Sequence, residues 1–176
     1  FNFRFSKVSE IIKNEINDKK IGEISHVNIL STHGLAFKKE YLDSWRSDKK
    51  KNPHNILDSL AIHYLDLILF QMGSIKNSNY YPRLVSKNGD SYDTCRLTLE
   101  TEHASTIIYC SYANPKINEI VIIGTNGYIT IRDNKKEIFS PRDTFDPKGF
   151  FVKPPLIENK NFNFEIKDLV KEKSKK

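Results

Sequence analysis

The hydrophobic pattern of this chain changes period at Gly73, and that switch constrains the fold more than any other feature. Upstream, Ile56, Leu57, Leu60, Ile62, Leu65, Leu67, Ile68, Leu69 and Phe70 place apolar groups on nearly every side of one helix. Such a helix is expected to be buried. Pro53 suits its first turn behind Asn52 as N-cap, and Gly73 ends it, so the pattern predicts a helix from Pro53 to Met72. Downstream, Tyr80–Val85, Tyr92–Thr101, Ala104–Tyr112, Glu119–Gly124 and Tyr128–Arg132 read as strands. They are separated by Asn88-Gly89, Glu102-His103, Asn114-Pro115 and Asn126-Gly127, the last being the strongest hairpin signal in the chain. Strands this close together, with no intervening helix, predict a mostly antiparallel sheet.

Before the buried helix, Ser6 to Lys20 carries Val8, Ile11, Ile12 and Ile16 at helical spacing, with Ser6 as N-cap and Gly22 as the left-handed stop. Glu23 to Thr32 alternates as a strand whose two faces are both partly covered. Residues 34–52 form a polar loop with Trp45 and Arg46, Ser140 to Pro155 is irregular, and Phe164 to Lys173 suggests a final helix. The expected fold class is α+β: an open, mainly antiparallel β-sheet with helices packed on one face. The 176 residues fit one domain.

Several function classes are disfavoured by composition. The net charge of +6 is spread beside acidic residues, as in Lys13/Glu15, Lys39/Glu40 and Lys171/Glu172, and six of the basic residues are Arg, so nucleic acid is not an expected partner. No apolar run is long enough for a bilayer, so no membrane partner is expected. Two cysteines, Cys95 and Cys110, sit in strand patterns as small core residues and fit a reducing cytoplasm. The opening Phe-Asn-Phe-Arg-Phe reads as the start of a piece of a larger protein.

The buried helix carries polar groups that need partners or a cleft. At 100° per residue, Asn55, Ser59, His63 and Asp66 fall at about 0°, 40°, 80° and 20°, one narrow stripe. His63 can project into a cleft as a general acid/base, or can bond backbone groups at a helix–sheet seam with Asp66. Asp58 lies about 140° from His63, which disfavours a direct pair in a regular helix. A metal site from His54, Asp58 and His63 lacks a second-ligand motif, and no metal is expected. Arg4, Trp45 and Arg46 can hold an anionic or sugar-like substrate, or Trp45 can close a loop over the core. No Gly-x-Gly-x-x-Gly or Walker-type loop is present, since Gly124-Thr-Asn-Gly127 is a hairpin.

The opening Phe-Asn-Phe-Arg-Phe, the following helix, Lys20-Ile-Gly-Glu-Ile24, Asp43-Ser-Trp-Arg46, Ile62-His-Tyr-Leu-Asp66 and Glu119-Ile-Val-Ile-Ile-Gly-Thr-Asn-Gly-Tyr-Ile129 occur in the order and spacing of a known domain. Over about 130 residues the chain resembles the C-terminal domain of the Gfo/Idh/MocA family of NAD(P)-dependent oxidoreductases. The resemblance implies the dihydrodipicolinate reductase-like C-terminal fold. It also implies a preceding Rossmann domain, absent from this chain, that carries the glycine fingerprint and a catalytic lysine. NAD or NADP is then expected in the full-length protein and not on this piece alone, which would be inactive by itself. His63 matches the family's helix histidine, which moves the proton of the substrate hydroxyl. The Asp that many members place four residues earlier is Ser59 here, Asp58 is one residue off that register, and the usual Gly two before the histidine is Ala61.

Together these imply a substrate-binding and oligomerisation domain of an enzyme acting on a sugar, nucleotide sugar or polyol hydroxyl by hydride transfer. Its catalytic candidates are His63, Ser59 and Asp58, and its substrate-binding candidates Arg4, Trp45, Arg46, Asn55 and Asp66. A homo-oligomer through the sheet is expected. The alternative is a non-catalytic dimerisation or ligand-binding module whose sheet offers Tyr80, Tyr81, Tyr109, Tyr112 and Tyr128.

Overall fold

A computed structural model of the chain describes residues 2–142 and 144–162. The expected final helix from Phe164 to Lys173 lies outside them. A 3-10 turn, Asn2–Phe5, leads into α1, Lys7–Asp18. Ser6 caps α1 by accepting from the Ser9 amide at 3.2 Å. The stop differs from the sequence expectation: Lys19, not Gly22, takes the left-handed cap with φ 51° and donates its N–H to the Glu15 carbonyl. Gly22 is also left-handed, but there the chain turns against Thr125 and Asn126.

Strand β1, Ile24–Thr32, is followed by a 3-10 turn, Leu35–Phe37, and the short α2, Lys39–Leu42. The buried helix is not one regular α-helix from Pro53. Pro53 and His54 lie in a turn, Leu57–Ala61 forms a π-helical turn, and α3 proper runs Ile62–Met72.

Seven further strands follow: β2 Ile75–Arg83, β3 Thr94–Thr101, β4 Ser105–Ser111, β5 Ile117–Gly124, β6 Gly127–Arg132, β7 Lys135–Phe139 and β8 Leu156–Asn161. They form one open sheet with the order β2-β3-β4-β1-β5-β6-β7-β8. Every pairing is antiparallel except β1 with β4.

β7 and β8 were not anticipated. β7 is joined to β6 by Asp133-Asn134, both at positive φ (46° and 67°), the requirement of the turn that suits a right-twisted hairpin. The Asn126-Gly127 hairpin is present, but Gly127 already pairs with Gly124 as a strand residue. A Cβ at Gly127 would sit 2.2 Å from the Phe139 carbonyl oxygen, so close strand approach explains that glycine.

One face of the sheet is closed. Val27, Ile29, Ile108, Ile120, Ile122, Ile129, Ile131 and Ile138 are buried there with Val8, Ile11 and Ile12 of α1 and Leu67 and Ile68 of α3. Gln71 of α3 donates to the Ser9 hydroxyl at 2.7 Å, joining the helices. Cys95 and Cys110 are cross-strand partners in this core, both free thiols. Burial pushes the Cys95 thiol up to about 12, so it is no nucleophile.

Strand pairing aligns the other face into rows. One reads Tyr81, Arg96, Tyr109, Leu30, Glu119, Arg132, Lys135, and the next Asn79, Thr98, Ile107, Asn28, Val121, Thr130, Glu137. No helix among the described residues is long and apolar enough to cross a membrane.

Candidate functional site

Because β1 and β4 are parallel, both end at the same edge of the sheet, with Thr32 beside Ser111. The residues that follow, His33 and Tyr112, stand side by side with ring centroids 4.8 Å apart. The His33 amide donates to the Ser111 carbonyl and the Ala36 amide to that of Tyr112, both at 2.9 Å.

The loop with Trp45 and Arg46 is fixed to this edge by polar contacts. The Ser47 carbonyl accepts from the Asp90 and Ser91 amides, and the Ser91 hydroxyl donates to the Asn52 carbonyl. Gly89 passes so close that a Cβ would lie 2.4 Å from the Ser47 oxygen. The fully buried Asp93 carboxylate holds the adjoining loop, accepting from the Val85 and Ser86 amides at 2.9 Å and from the Thr94 hydroxyl.

Four of the expected site residues, Trp45, Arg46, Asn55 and Ser59, fall into this edge cluster or beside it. Arg46 lies over the Trp45 ring, 4.5 Å from its centroid, and its charge acts on the Tyr112 hydroxyl. The Ser59 Oγ is 2.8 Å from the Tyr112 Oη and donates to the Asn55 carbonyl. Since Ser59 has one hydroxyl proton, Tyr112 donates to Ser59. Asn55, fully buried, donates to Tyr41 at 3.1 Å. The result is a chain Tyr112–Ser59–Asn55–Tyr41, in which Ser59 sits within the π-helical turn. Such turns interrupt α-helices frequently at functional sites. Asp58 is exposed and turns away from Ser59, toward Tyr80, whose hydroxyl feels its charge.

His63, four residues beyond Ser59, belongs to a second cluster. Phe3 stacks on its imidazole at 5.2 Å and meets Tyr64 edge-on at 5.2 Å. Arg4 binds Asp66 bidentately, Nε to Oδ2 at 2.8 Å and Nη2 to Oδ1 at 2.5 Å, and covers the Phe70 ring at 5.2 Å. Arg4 and Asp66 therefore satisfy each other and bind the N-terminal turn to α3. The hydrogen bonds from Arg4 hold the Asp66 carboxyl below its ordinary range. Burial lowers the His63 pKa below 6.5, opposed by the Asp66 charge, so the imidazole is neutral at pH 7 and can accept a proton.

Tyr112, Tyr41 and His33 were missed as site residues. The sequence offers Tyr112 only as a possible interface aromatic, because nothing local reveals that a parallel pairing of β1 with β4 delivers it to Ser59. Burial pushes Tyr41 up to about 12 and raises Tyr112, the latter against the contacts of Ser59 and Arg46. Both phenols stay protonated at neutral pH.

Among the described residues no group of three or more His, Cys, Asp or Glu is placed to hold a metal ion, and His54 packs against Tyr80 instead. Among the described residues no glycine-rich strand-to-helix turn is present to receive a pyrophosphate. Gly124 and Gly127 close a hairpin. The described residues therefore do not fit a dinucleotide on their own.

Residues 10–130 match the sequence model described as the GFO/IDH/MocA C-terminal domain. A search of curated protein sequences returns no match. Among solved structures, the chain is similar to an inositol dehydrogenase homolog complexed with NAD+ from Azotobacter vinelandii. That likeness has 19% identity and a TM-score of 0.70, over 91% of this chain and 42% of that one. An oxidoreductase from Agrobacterium radiobacter in complex with NAD+, L-tartaric acid and magnesium gives 22% identity and a TM-score of 0.66, over 89% and 46%. The WlbA dehydrogenase from Bordetella pertussis in complex with NADH and UDP-GlcNAcA gives 19% and 0.66, over 84% and 44%. The chain spans about half the length of these structures or less.

Proposed function

The chain belongs to the GFO/IDH/MocA family as its C-terminal domain, and from that membership we propose that it forms the substrate-binding half of an NAD-dependent dehydrogenase. The reaction is oxidation of a hydroxyl-bearing carbon on a sugar, nucleotide sugar or polyol, or the reverse reduction. The dinucleotide is held by a separate Rossmann domain preceding Phe1. Supporting that division, the chain spans about half of its structural neighbours, which are bound to NAD+ or NADH, and the described residues offer no pyrophosphate cradle.

The observation that carries the reading is a neutral imidazole, His63, just beyond a π-helical turn whose Ser59 is bonded to Tyr112. His63 takes the hydroxyl proton as the carbon is oxidised and returns it on reduction. Ser59 orients a substrate hydroxyl, held in place by the buried Asn55 and Tyr112, and Trp45 with Arg46 forms the outer wall. Arg4 and Asp66 position the N-terminal turn, which brings Phe3 onto His63. Asp58, exposed toward Tyr80, takes no part beside Ser59.

The test is turnover by this chain joined to its Rossmann domain, with nicotinamide reduction followed over a panel of polyols and sugars. Polyol-dependent reduction that His63→Ala abolishes supports the reading. Turnover unchanged by that substitution removes His63 from the mechanism.

The open sheet face favours a second role, self-association. Around Asn28 its centre carries the apolar Leu30, Ile107, Val121 and Ile123, and its edges carry Arg96, Glu119, Arg132 and Glu137. An apolar centre within a polar rim is the anatomy of a protein–protein interface. A homodimer through this face predicts a concentration-dependent sedimentation coefficient that Ile123→Lys shifts to the monomer. A monomer at all concentrations contradicts it.

A further inference from the structure

Residues 144–152 form an ordered hairpin between β7 and β8 that leaves its aromatic side chains in solvent. The Val152 amide donates to the Thr144 carbonyl at 3.0 Å, and the Thr144 hydroxyl to that of Val152 at 2.8 Å. Phe145 and Phe151 bridge as an antiparallel pair, with ring centroids 5.0 Å apart. Asp146 closes the turn: its carbonyl accepts from the Gly149 amide and its Oδ1 from the Lys148 and Phe150 amides, all at 2.9 Å. Yet Phe145, Phe150 and Phe151 are 53%, 67% and 86% exposed. Three exposed phenylalanines on an ordered projection mark an interaction surface, and a preformed one loses little entropy on docking.

The stem of this arm rests on the open face of the sheet. Lys153 lies over the Phe139 ring, 4.0 Å from its centroid, and Phe139 stacks on Tyr128 at 4.7 Å. The strand register continues that row to Ile123 and His26. Beside the stem is a recess of about 490 Å³, with Tyr128, Thr130, Arg132, Phe139 and Lys153 in its lining. Knob and hole therefore lie side by side on one face. A two-fold axis passing between them sets each arm into the other copy's recess, the self-complementary arrangement that an isologous dimer needs. The recess offers the arm an aromatic floor, and Arg132 and Lys153 offer cations to the faces of its rings. Two other partners fit less well. The tip is Asp146-Pro-Lys-Gly149, whose charges disfavour insertion into a bilayer. The His63 cluster belongs to α3, which packs on the opposite face of the sheet, so a domain that completes that site lies across the sheet from the arm.

We propose that residues 144–152 are a dimerisation arm, with Phe150 and Phe151 of each copy entering the recess over Tyr128, Thr130 and Phe139 of a second copy of this chain. The inference rests on the self-association reading of the open sheet face, and it names the contact that sets how the two faces align.

Phe150→Ser with Phe151→Ser removes the apolar surface of the arm, and Thr130→Arg fills the recess. Sedimentation equilibrium of the 176-residue chain should show a dimer whose dissociation constant each of these two variants raises about tenfold or more, as expected when buried aromatic surface is lost. Circular dichroism spectra matching wild type separate loss of contact from loss of fold. A homodimer of either variant has no intact arm-and-recess pair, whereas a mixed dimer of the two has one. An equimolar mixture should therefore associate more tightly than either variant alone. Variants that leave the dimer intact while Ile123→Lys breaks it overturn the arm and leave the sheet-face reading standing. A mixture no tighter than its components overturns the exchange of arms. A wild-type monomer at every concentration removes both readings. A monomer that co-sediments with phosphatidylcholine–phosphatidylserine vesicles through Phe150 and Phe151 overturns the proposal in favour of a lipid surface.

Discussion

Lys136→Met tests the joint between α1 and the two unanticipated strands. The Lys136 ammonium lies 2.8 Å from Glu15 of α1 and 2.6 Å from Glu158 of β8, with the three side chains 9%, 2% and 16% exposed. Methionine keeps the length of the apolar stem and removes the charge, leaving two enclosed carboxylates. Losing one partner of a buried ion pair costs about 3–5 kcal/mol. Lys20 remains 3.0 Å from Glu158 and 3.8 Å from Glu15, which argues for the lower end, about 3 kcal/mol. For a domain of this size that is a fall in melting temperature of about 6–12 °C.

The pH dependence has a definite sign. The bonds from Lys136 and Lys20 hold the Glu158 carboxyl at about 2, against 4.5 ordinarily. A depressed carboxylate stabilises the fold fully above the unfolded value and loses that contribution as pH falls from about 4.5 toward 2. The gap between wild type and Lys136→Met should therefore be widest at neutral pH and narrow below about pH 4. Adding Glu15→Gln to Lys136→Met should recover part of the loss. Denaturant melts at pH 7 and pH 3 decide it. A penalty under about 1 kcal/mol, or one equal at both pH values, refutes the network as a clamp.

Other substitutions probe the site and its frame. Tyr112→Phe removes the hydroxyl that bonds Ser59 and feels the Arg46 charge, and should cost about 1 kcal/mol of stability and change Trp45 emission. Unchanged emission would disconnect the two walls. Asp66→Asn withdraws the charge that opposes the lowering of the His63 pKa, so that pKa should fall further in an NMR titration. A rise would show that Asp66 acts on His63 by other means. Gly127→Ala drives a Cβ against the Phe139 carbonyl and should cost about 1–3 kcal/mol by thermal melting, whereas Gly34→Ala, with open space around it, should cost far less.

What the sequence revealed, and what it hid, follows from the range of the interactions involved. Ser6 as N-cap, the α1 stripe and the first five of the strands after Gly73 are local patterns, and all are present. β7 and β8 are short and carry lysines and glutamates, so period-2 alternation is masked. Lys136 in particular reads as a surface residue until Glu15 and Glu158 are placed around it. The angular stripe from Asn55 to Asp66 assumed an even 100° per residue. The π-helical turn breaks that spacing, and the stripe divides between Tyr112 for Ser59 and Arg4 for Asp66. The parallel β1–β4 pairing, which no local signal encodes, creates the His33–Tyr112 edge.

The central claim is that His63 is the proton-transfer group of a hydroxyl-oxidising site completed by a nucleotide-binding domain. The most direct test is the pH dependence of NAD reduction by the chain joined to that domain, measured for wild type and His63→Asn with the best polyol or sugar substrate. Oxidation should rise with pH through a single His63 ionisation below 6.5, and His63→Asn should flatten that limb and lower kcat by about 10²–10⁴-fold. An unchanged profile and rate in His63→Asn would contradict the claim.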